Sequence, residues 1–170
     1  KGEILCVAGI EGNGQSELVQ VIAGLMRQDG GRIILNHQDI SHAPIRKRSL
    51  AGLSYVPEDR HRHGLILDNT LEENLSMKKY FMPDYQKSGF INFTARRNLA
   101  DRLIREFDIR SSEGAASTAR SMSGGNQQKA IIAREIDFEH IVLMAMQPTR
   151  GLDVGAIENV HKNLLRQRDE

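Results

Sequence analysis

A glycine-rich stretch near the start of the chain, residues 9–17, constrains the fold more than any other part of the sequence. Its spacing follows the pattern G-x-x-x-x-G-K-[ST], in which backbone N–H groups at the start of a helix surround phosphate oxygens. Gly9, Gly14 and Ser16 match this pattern, whereas Gln15 stands where the pattern has its lysine. The stretch therefore predicts a phosphate-binding loop that lacks one positive charge.

The segments on both sides of this loop support that prediction. Residues 4–8 form a short apolar run, typical of a strand buried on both faces of a parallel sheet, and Cys6 is expected to be a small buried residue on it. Apolar residues at helical spacing predict a helix over residues 15–26. A strand-to-helix turn that merely requires glycine is the weaker alternative.

Composition limits the class of protein. The 170 residues suit one domain, and 23 basic against 22 acidic residues give a net charge of +1, which does not favour nucleic acid as a partner. One cysteine excludes an internal disulfide and, with no long apolar span, favours a reducing cytoplasmic location. The final residues stop inside a charged helical pattern, so we expect a fragment truncated at both ends.

The region after the first helix predicts two more strands, at residues 32–35 and 53–56, with Pro57 ending the second. A basic run at residues 46–48 is interpreted as a solvated helix face. A dense polar loop follows at residues 58–64.

Two histidines in this polar loop, His61 and His63, suggest a metal site at first sight. No further ligands stand at metal-binding spacing around them, so a solvated loop is the preferred interpretation.

Two helices are predicted in the middle of the chain, over residues 70–80 and 94–107. Pro and Gly residues separate them, and their apolar positions indicate core packing. Residues 70–119 are therefore interpreted as a helical unit inserted into an α/β core formed by residues 1–69 and 120–170.

A second candidate anion site lies at residues 121–129, at the start of another helical pattern. Ser123, Gly124 and Gly125 offer a hydroxyl and free N–H groups at the positive end of the helix dipole. Ordinary N-capping by Ser123 is the alternative.

Residues 141–146 are a second buried apolar run, followed by a loop and an amphipathic helix from Val154. Two buried strands, each leading through a loop into a helix, imply a parallel sheet with right-handed crossovers.

Together these motifs resemble the nucleotide-binding domain of ABC transporters over nearly the whole chain. The matching segments are residues 9–16 for the Walker A loop, 55–58 for the glutamine loop, 122–128 for the Leu-Ser-Gly-Gly-Gln signature, 146–149 for the end of the Walker B strand, and 151–153 for the D-loop. The resemblance implies an α/β P-loop NTPase fold with a parallel sheet core and an inserted helical subdomain.

The individual residues within and around these motifs resemble those of the second ATP-binding domain of the tandem ATPases in bacterial simple-sugar and nucleoside importers. The segments that carry it are residues 12–18, 55–60, 123–129 and 147–156, and the first of these is closer to the nucleoside branch. This resemblance implies ATP and Mg²⁺ as cofactors, a second ATPase domain and transmembrane permease subunits as partners, no nucleic acid, and a place on the cytoplasmic face of the membrane.

The resemblance also assigns site residues. Those expected to contact the nucleotide are Gly9, Gly12, Asn13, Gly14, Gln15, Ser16 and Glu17. Those expected to act across an interface as the signature are Ser123, Gly124, Gly125, Asn126 and Gln127, with Asp153 in the D-loop. Ser16 and Glu58 are the candidate Mg²⁺ ligands, and Gln147 stands at the position of the catalytic glutamate.

Three positions that carry charge in a competent site are neutral in this chain, namely Gln15, Met146 and Gln147. A lysine about 4 Å from a phosphate charge contributes roughly 4 kcal/mol at an effective dielectric near 20. Losing a positioned general base costs about 10²- to 10⁴-fold in rate. We therefore expect weak ATP binding, very weak hydrolysis at this loop, and a signature motif that completes the partner's site.

Two other classes of protein stay open. A soluble ABC ATPase of DNA repair or translation would carry coiled-coil heptads or a basic face, and the sequence has neither. A scaffold that binds no nucleotide would give no heat with ATP and Mg²⁺ in calorimetry.

Overall fold

A computed structural model describes residues 2–10 and 12–169 of the chain. Its helices are α1 (Gln15–Ala23), α2 (Ile45–Leu50), α3 (Leu71–Ser76), α4 (Phe93–Glu106), α5 (Gly124–Asp137) and α6 (Val154–Asp169), with a π-helix at Arg60–Gly64 and 3₁₀ turns at Gly114–Ala116 and Ala119–Ser121. Its strands are β1 (Ile34–Leu35), β2 (Gln38–Asp39), β3 (Leu53–Val56), β4 (Gln86–Lys87), β5 (Phe90–Ile91) and β6 (Val142–Ala145).

Strands β3 and β6 form a parallel pair, which confirms the predicted parallel arrangement. The expected burial of residues 141–146 is wrong, because Val142 and Ala145 at the two ends of β6 are exposed. Leu53 lies opposite Val142 and Val56 lies opposite Ala145. The N–H of Met146 donates to the carbonyl of Val56 at 3.0 Å, so the pairing continues past the end of β6. Because parallel strands end at the same edge, the loops that follow β3 and β6 emerge side by side.

The buried strand predicted at residues 4–8 is wrong. These residues lie outside the strands of the described chain, and Leu5 and Val7 are 81% and 62% exposed. Cys6, predicted to be buried, is exposed with a free thiol. An apolar run becomes a buried strand only where a neighbouring strand supplies backbone partners and other layers cover both faces.

Three other predicted elements are shorter than expected: α1 and α3 end early, at Ala23 and Ser76, and β1 begins late, at Ile34. Helix α1 ends at Ala23, where Gly24 adopts a left-handed conformation with φ of 83°. Strand β1 turns back into β2 through Asn36 and His37, whose φ angles are 47° and 63°. Two successive residues with positive φ are typical of a tight hairpin turn.

Helix α5 is the centre of the largest hydrophobic core. Ala130, Ile131, Ile132 and Ala133 are all buried, and the helix packs against β3, α3, α4, α6 and the π-helix. The side chains around it include Leu71, Leu75, Leu99, Leu103 and Val160. The position of α5 therefore sets the positions of the loops at its ends.

Helices α3 and α4 are held together by charge as well as by apolar packing. Arg96 and Arg97 of α4 both pair with the carboxylate of Glu72 on α3. Burial opposes ionisation of Glu72, but the hydrogen bonds from Arg97 and Arg96 outweigh it and hold the pKa of this carboxyl below its ordinary value. These arginines therefore stabilise the fold.

The division into a helical unit at residues 70–119 and a core stays a prediction.

Arg48 corrects the interpretation of residues 46–48 as a solvated helix face. Its side chain is buried and donates to the carbonyls of Val21 and Ile22 at 2.7 and 2.8 Å. It also donates to the carbonyls of Ser41 and Ala43, both at 2.8 Å. The last carbonyls of a helix lack intrahelical partners, so Arg48 satisfies the end of α1 and fixes it against α2.

Replacing Arg48 by methionine is expected to lower the free energy of unfolding by about 3 kcal/mol or more, because the buried carbonyls lose a charged donor. Chemical denaturation followed by far-UV circular dichroism measures the change. Lys47→Met is the matched control on the exposed side of the same helix, with an expected effect within about 0.5 kcal/mol. Equal effects of the two variants would contradict a structural role for Arg48.

Candidate functional site

The glycine-rich loop enters helix α1 through backbone conformations that favour glycine. Gly12 and Gly14 have φ angles of 90° and 94°, and Gly14 is the N-cap of α1 without a side-chain cap. A Cβ built on either glycine would meet nothing within 4 Å. The first-turn N–H groups of α1 are therefore open to an acceptor from outside.

The remaining predicted nucleotide contacts surround this turn. Gln15, Ser16 and Glu17 form the first turn of α1, and the N–H of Asn13 donates to the carbonyl of Ile10 at 3.2 Å. Ser16 is half-buried, and Glu17 is exposed. A phosphate at the helix end would therefore lie close to one carboxylate of the same turn, which weakens binding by like-charge repulsion.

The Gln15 side chain folds back over its own loop. Its Nε2 donates to the carbonyl of Ile10 at 3.3 Å, and it lies 1.9 Å from the place where a Cβ on Gly9 would stand. Only glycine at position 9 leaves room for this conformation. The residue at the lysine position thus supplies an amide hydrogen bond to the loop and no charge to a ligand.

Glu58 lies after β3 and forms an ion pair with the guanidinium of Arg150, which lies after β6. The same carboxylate is the candidate Mg²⁺ ligand, and its charge is compensated by this arginine. The described residues contain no group of three or more His, Cys, Asp or Glu side chains placed to hold a metal ion. Any Mg²⁺ would therefore depend on Ser16, Glu58 and the phosphates themselves.

The polar loop after β3 is more ordered than its composition indicates. Asp59 caps the π-helix by accepting from the N–H groups of His61 and Arg62 at 2.9 and 3.0 Å. The backbone hydrogen bond from Arg62 holds the pKa of Asp59 below its ordinary value. The ring Nε2 of His61 lies 2.8 Å from Oε1 of Gln127, so His61 joins this loop to α5 although the residue is exposed.

The start of α5 divides the predicted signature residues into two groups. Ser123 is exposed, and its Oγ accepts from the N–H and from Nδ2 of Asn126 at 3.4 and 3.0 Å. Gln127 is buried and donates to the carbonyl of Ala119 at 2.9 Å. Ser123 is thus available to a ligand and Gly124 and Gly125 are half-buried beside it, whereas Gln127 holds the helix in place.

Asp153 also has a structural task. Its Oδ1 accepts from the N–H of Ala156 at 2.9 Å and caps the start of α6. The start of α6 lies close to the start of α5, since a Cβ on Gly125 would lie 3.2 Å from Cβ of Ala156 and 3.6 Å from Oδ2 of Asp153. A Cβ at position 125 would require Ala156 to move by a few tenths of an ångström, so glycine favours this approach of α5 to α6.

The end of β6 carries the neutral residues expected from the sequence. Gln147 is exposed, and its φ of 41° lies in the left-handed region. The N–H of Arg150 donates to its carbonyl at 3.0 Å and closes a turn. The turn brings Arg150 towards Glu58, a pairing that sequence reasoning missed because the two residues are 92 positions apart.

Known proteins are similar to this chain over nearly its whole length. Residues 1–150 match the family model described as ABC transporter. The chain is 51% identical over 169 residues to the nucleoside import ATP-binding protein NupA of Lactococcus lactis, covering 99% of this chain and 33% of that protein. It is 48% identical over 168 residues to the guanosine import ATP-binding protein NupO of Bacillus subtilis, again covering 99% of this chain and 33% of that protein.

Solved structures agree on the fold. The dimeric structure of MJ0796, a bacterial ABC transporter cassette, matches with a TM-score of 0.74 at 20% identity, over 94% of this chain and 67% of that one. No helix in the described ranges 2–10 and 12–169 is long and apolar enough to cross a membrane. The chain spans about a third of the length of the curated relatives it matches. By the match of its residues 1–150, this chain belongs to the ABC transporter family.

Proposed function

We propose that this chain is the ATP-binding, energy-coupling part of an importer for nucleosides or sugars, with a degenerate site of its own and an intact signature motif that completes the site of a partner domain. The observation that carries the proposal is the contrast between two helix starts. At α1 the neutral Gln15 lies over the loop, whereas at α5 Ser123 is exposed and is followed by the half-buried Gly124 and Gly125.

ATP fits the chain's own loop through its backbone. Gly12, Gly14 and the first turn of α1 provide N–H groups and the positive end of a helix dipole, which bind phosphate without a lysine. Ser16 is the candidate Mg²⁺ ligand on this turn, and Glu58 is the second, in competition with Arg150. Mg²⁺ would offset phosphate charge that the missing lysine leaves uncompensated.

Hydrolysis at this loop is expected to be very slow. A general base must accept a proton from the attacking water, and the amide of Gln147 cannot do so at neutral pH. Met146 likewise offers no carboxylate near the metal position. Turnover in the assembled transporter is therefore assigned to the partner's site, to which this chain contributes Ser123, Gly124 and Gly125.

A groove of about 450 Å³ is the proposed docking site for a transmembrane permease subunit. Ile45, Tyr55, Met77 and Phe81 give it an apolar lining, with His63 at the end of the polar loop. Arg46 lies over the ring of Phe81 at 4.6 Å and adds a positive rim. An apolar segment of the permease with an acidic end fits this surface, on the cytoplasmic face of the membrane.

The groove is connected to the signature through the same loop. His63 lines the groove, and His61, two residues earlier, contacts Gln127 of α5. Movement of a docked permease segment would thus reach the start of α5 through one short π-helix. This continuity favours an importer over a soluble ABC ATPase or a nucleotide-free scaffold.

Replacing Ser123 by glutamate is expected to lower the ATPase activity of the assembled importer at least about tenfold, because a carboxylate then faces the partner's phosphates. Phosphate release by the full-length protein with its permease measures the effect. Ser112→Glu, at an exposed serine in the turn after α4 and outside residues 121–129, is the matched control with unchanged activity. Full ATPase activity in S123E would overturn the role of the signature.

Replacing Gln15 by lysine is expected to tighten binding of ATP with Mg²⁺ by about tenfold. An ideal contact between lysine and phosphate contributes roughly 4 kcal/mol, and solvent screening reduces this contribution. Hydrolysis at this site stays very slow, because Gln147 is unchanged. Calorimetric titration measures affinity, and Gln20→Lys adds the same charge farther along α1 as the control. No detectable heat for any variant would favour the scaffold.

Replacing Phe81 by aspartate is expected to release the permease, since it puts a charge into the apolar lining of the groove. Co-purification of the permease in detergent is the measurement. Phe90→Asp makes the same change at a ring that is 80% exposed on β5 and should leave the complex intact. Retention of the permease by F81D would exclude this groove as its docking site.

A further inference from the structure

The guanidinium of Arg60 lies where three segments of the site converge. Its Nη2 is 3.0 Å from the position that a Cβ would take on Gly124 and 3.7 Å from the equivalent position on Gly151. Its Nη1 donates to the carbonyl of Arg150 at 3.1 Å. One cation from the loop after β3 thus lies against the start of α5 and the loop after β6.

The charge of Arg60 is not balanced by a neighbouring acid. In the described ranges, Glu58 is taken by Arg150, and no carboxylate lies within 4.0 Å of the Arg60 guanidinium. Its Nε is buried and has no hydrogen-bond partner there. A ligand cannot reach this buried Nε, but Nη2 also has no partner among the described residues and is not fully buried, so it can bind an acceptor from outside.

The N-terminus of α5, which lies beside Arg60, adds to the uncompensated positive charge. The N-terminus of α5 carries a partial positive charge, so a guanidinium against Gly124 is repelled until an anion lies between them. The N–H groups of the first turn of α5 have no intrahelical acceptors. Together with the hydroxyl of Ser123 they are hydrogen-bond donors beside the Arg60 guanidinium. The Arg60 cation, the Ser123 hydroxyl and the backbone donors therefore form a surface suited to a phosphate, with the Asp153 carboxylate, whose Oδ2 lies 3.6 Å from the Cβ position on Gly125, at its α6 side.

We propose that Arg60 is a phosphate-binding residue of the signature surface and provides a positive charge to the terminal phosphate of a nucleoside triphosphate held by the partner domain. This inference rests on the proposed function and adds a charged side chain to Ser123, Gly124 and Gly125. The chain that lacks a lysine on its own loop thereby contributes a cation to the opposite site.

The competing explanation is that Arg60 only ties two loops together through the carbonyl of Arg150. A strut of this kind depends on the reach and planarity of a guanidinium, whereas binding of phosphate depends first on positive charge. Variants that separate charge from shape therefore distinguish the two roles.

The test uses full-length protein assembled with its permease, and orthovanadate as a mimic of the terminal phosphate. Arg60→Gln is expected to raise the vanadate inhibition constant at least about tenfold and to lower kcat, with the melting temperature close to that of the parent protein. Arg60→Lys should keep the inhibition constant within about threefold. Arg62→Gln, on the same π-helix, should leave both quantities unchanged.

An unchanged vanadate constant in R60Q would overturn the proposal, and so would a tenfold rise in R60K. If R60Q does not fold, the vanadate constant of R60K decides alone: a value within about threefold of the parent supports the charge contact, and a tenfold rise overturns it. Failure of the proposed function is recognised separately, since S123E would then keep full ATPase activity. Loss of activity in S123E together with normal vanadate inhibition in R60Q would leave the proposed function intact and remove only the role of Arg60.

Discussion

Burial of helix α5 is the constraint on which the other parts of the structure depend. Its apolar residues fill the core, and its far end is fixed to β3, because Ser54 donates to the carbonyl of Glu135 at 2.8 Å and the N–H of Tyr55 donates to the Glu135 carboxylate at 3.2 Å. A helix held along its whole length presents its first turn at a defined place. The exposed Ser123 is therefore a rigid feature, even though it lies at the surface.

The two candidate anion-binding helix starts, those of α1 and α5, differ in the charges around them. The loop before α1 is neutral at position 15 and carries the acidic Glu17, whereas the surface around α5 carries Arg60 and Arg150 beside the carboxylates of Glu58 and Asp153. The cations that can face a phosphate thus lie at the start of α5, and residues 12–17 before and in α1 contain none. This distribution is consistent with a chain that assists hydrolysis in another domain more than in itself.

The sequence predicted those elements whose periodicity is local. The helix expected at residues 94–107 is observed at Phe93–Glu106, and the strand expected at residues 53–56 is observed at the same positions. The helix that begins after Ser123 was also expected, and Ser123 caps it, which was the alternative considered to an anion site. In each of these cases the spacing of apolar residues and the capping residue are read from neighbours in the chain.

Other features could not be predicted because they depend on distant partners. Residues 4–8 have the composition of a buried strand, yet no strand forms without a neighbour to pair with it. Arg48 belongs to a basic run, and only the carbonyls at the end of α1 make it a buried residue. The same limit applies to His61, whose partner Gln127 is 66 positions away.

Sequence alone determined the family, the order of the motifs, and the absence of charge at Gln15, Met146 and Gln147, because these depend only on residue type and spacing. Tertiary structure decided which charges meet. Ion pairing and hydrogen bonding require atoms within about 4 Å, and the parallel pairing of β3 with β6 brings the loops carrying Arg60 and Arg150 to the start of α5.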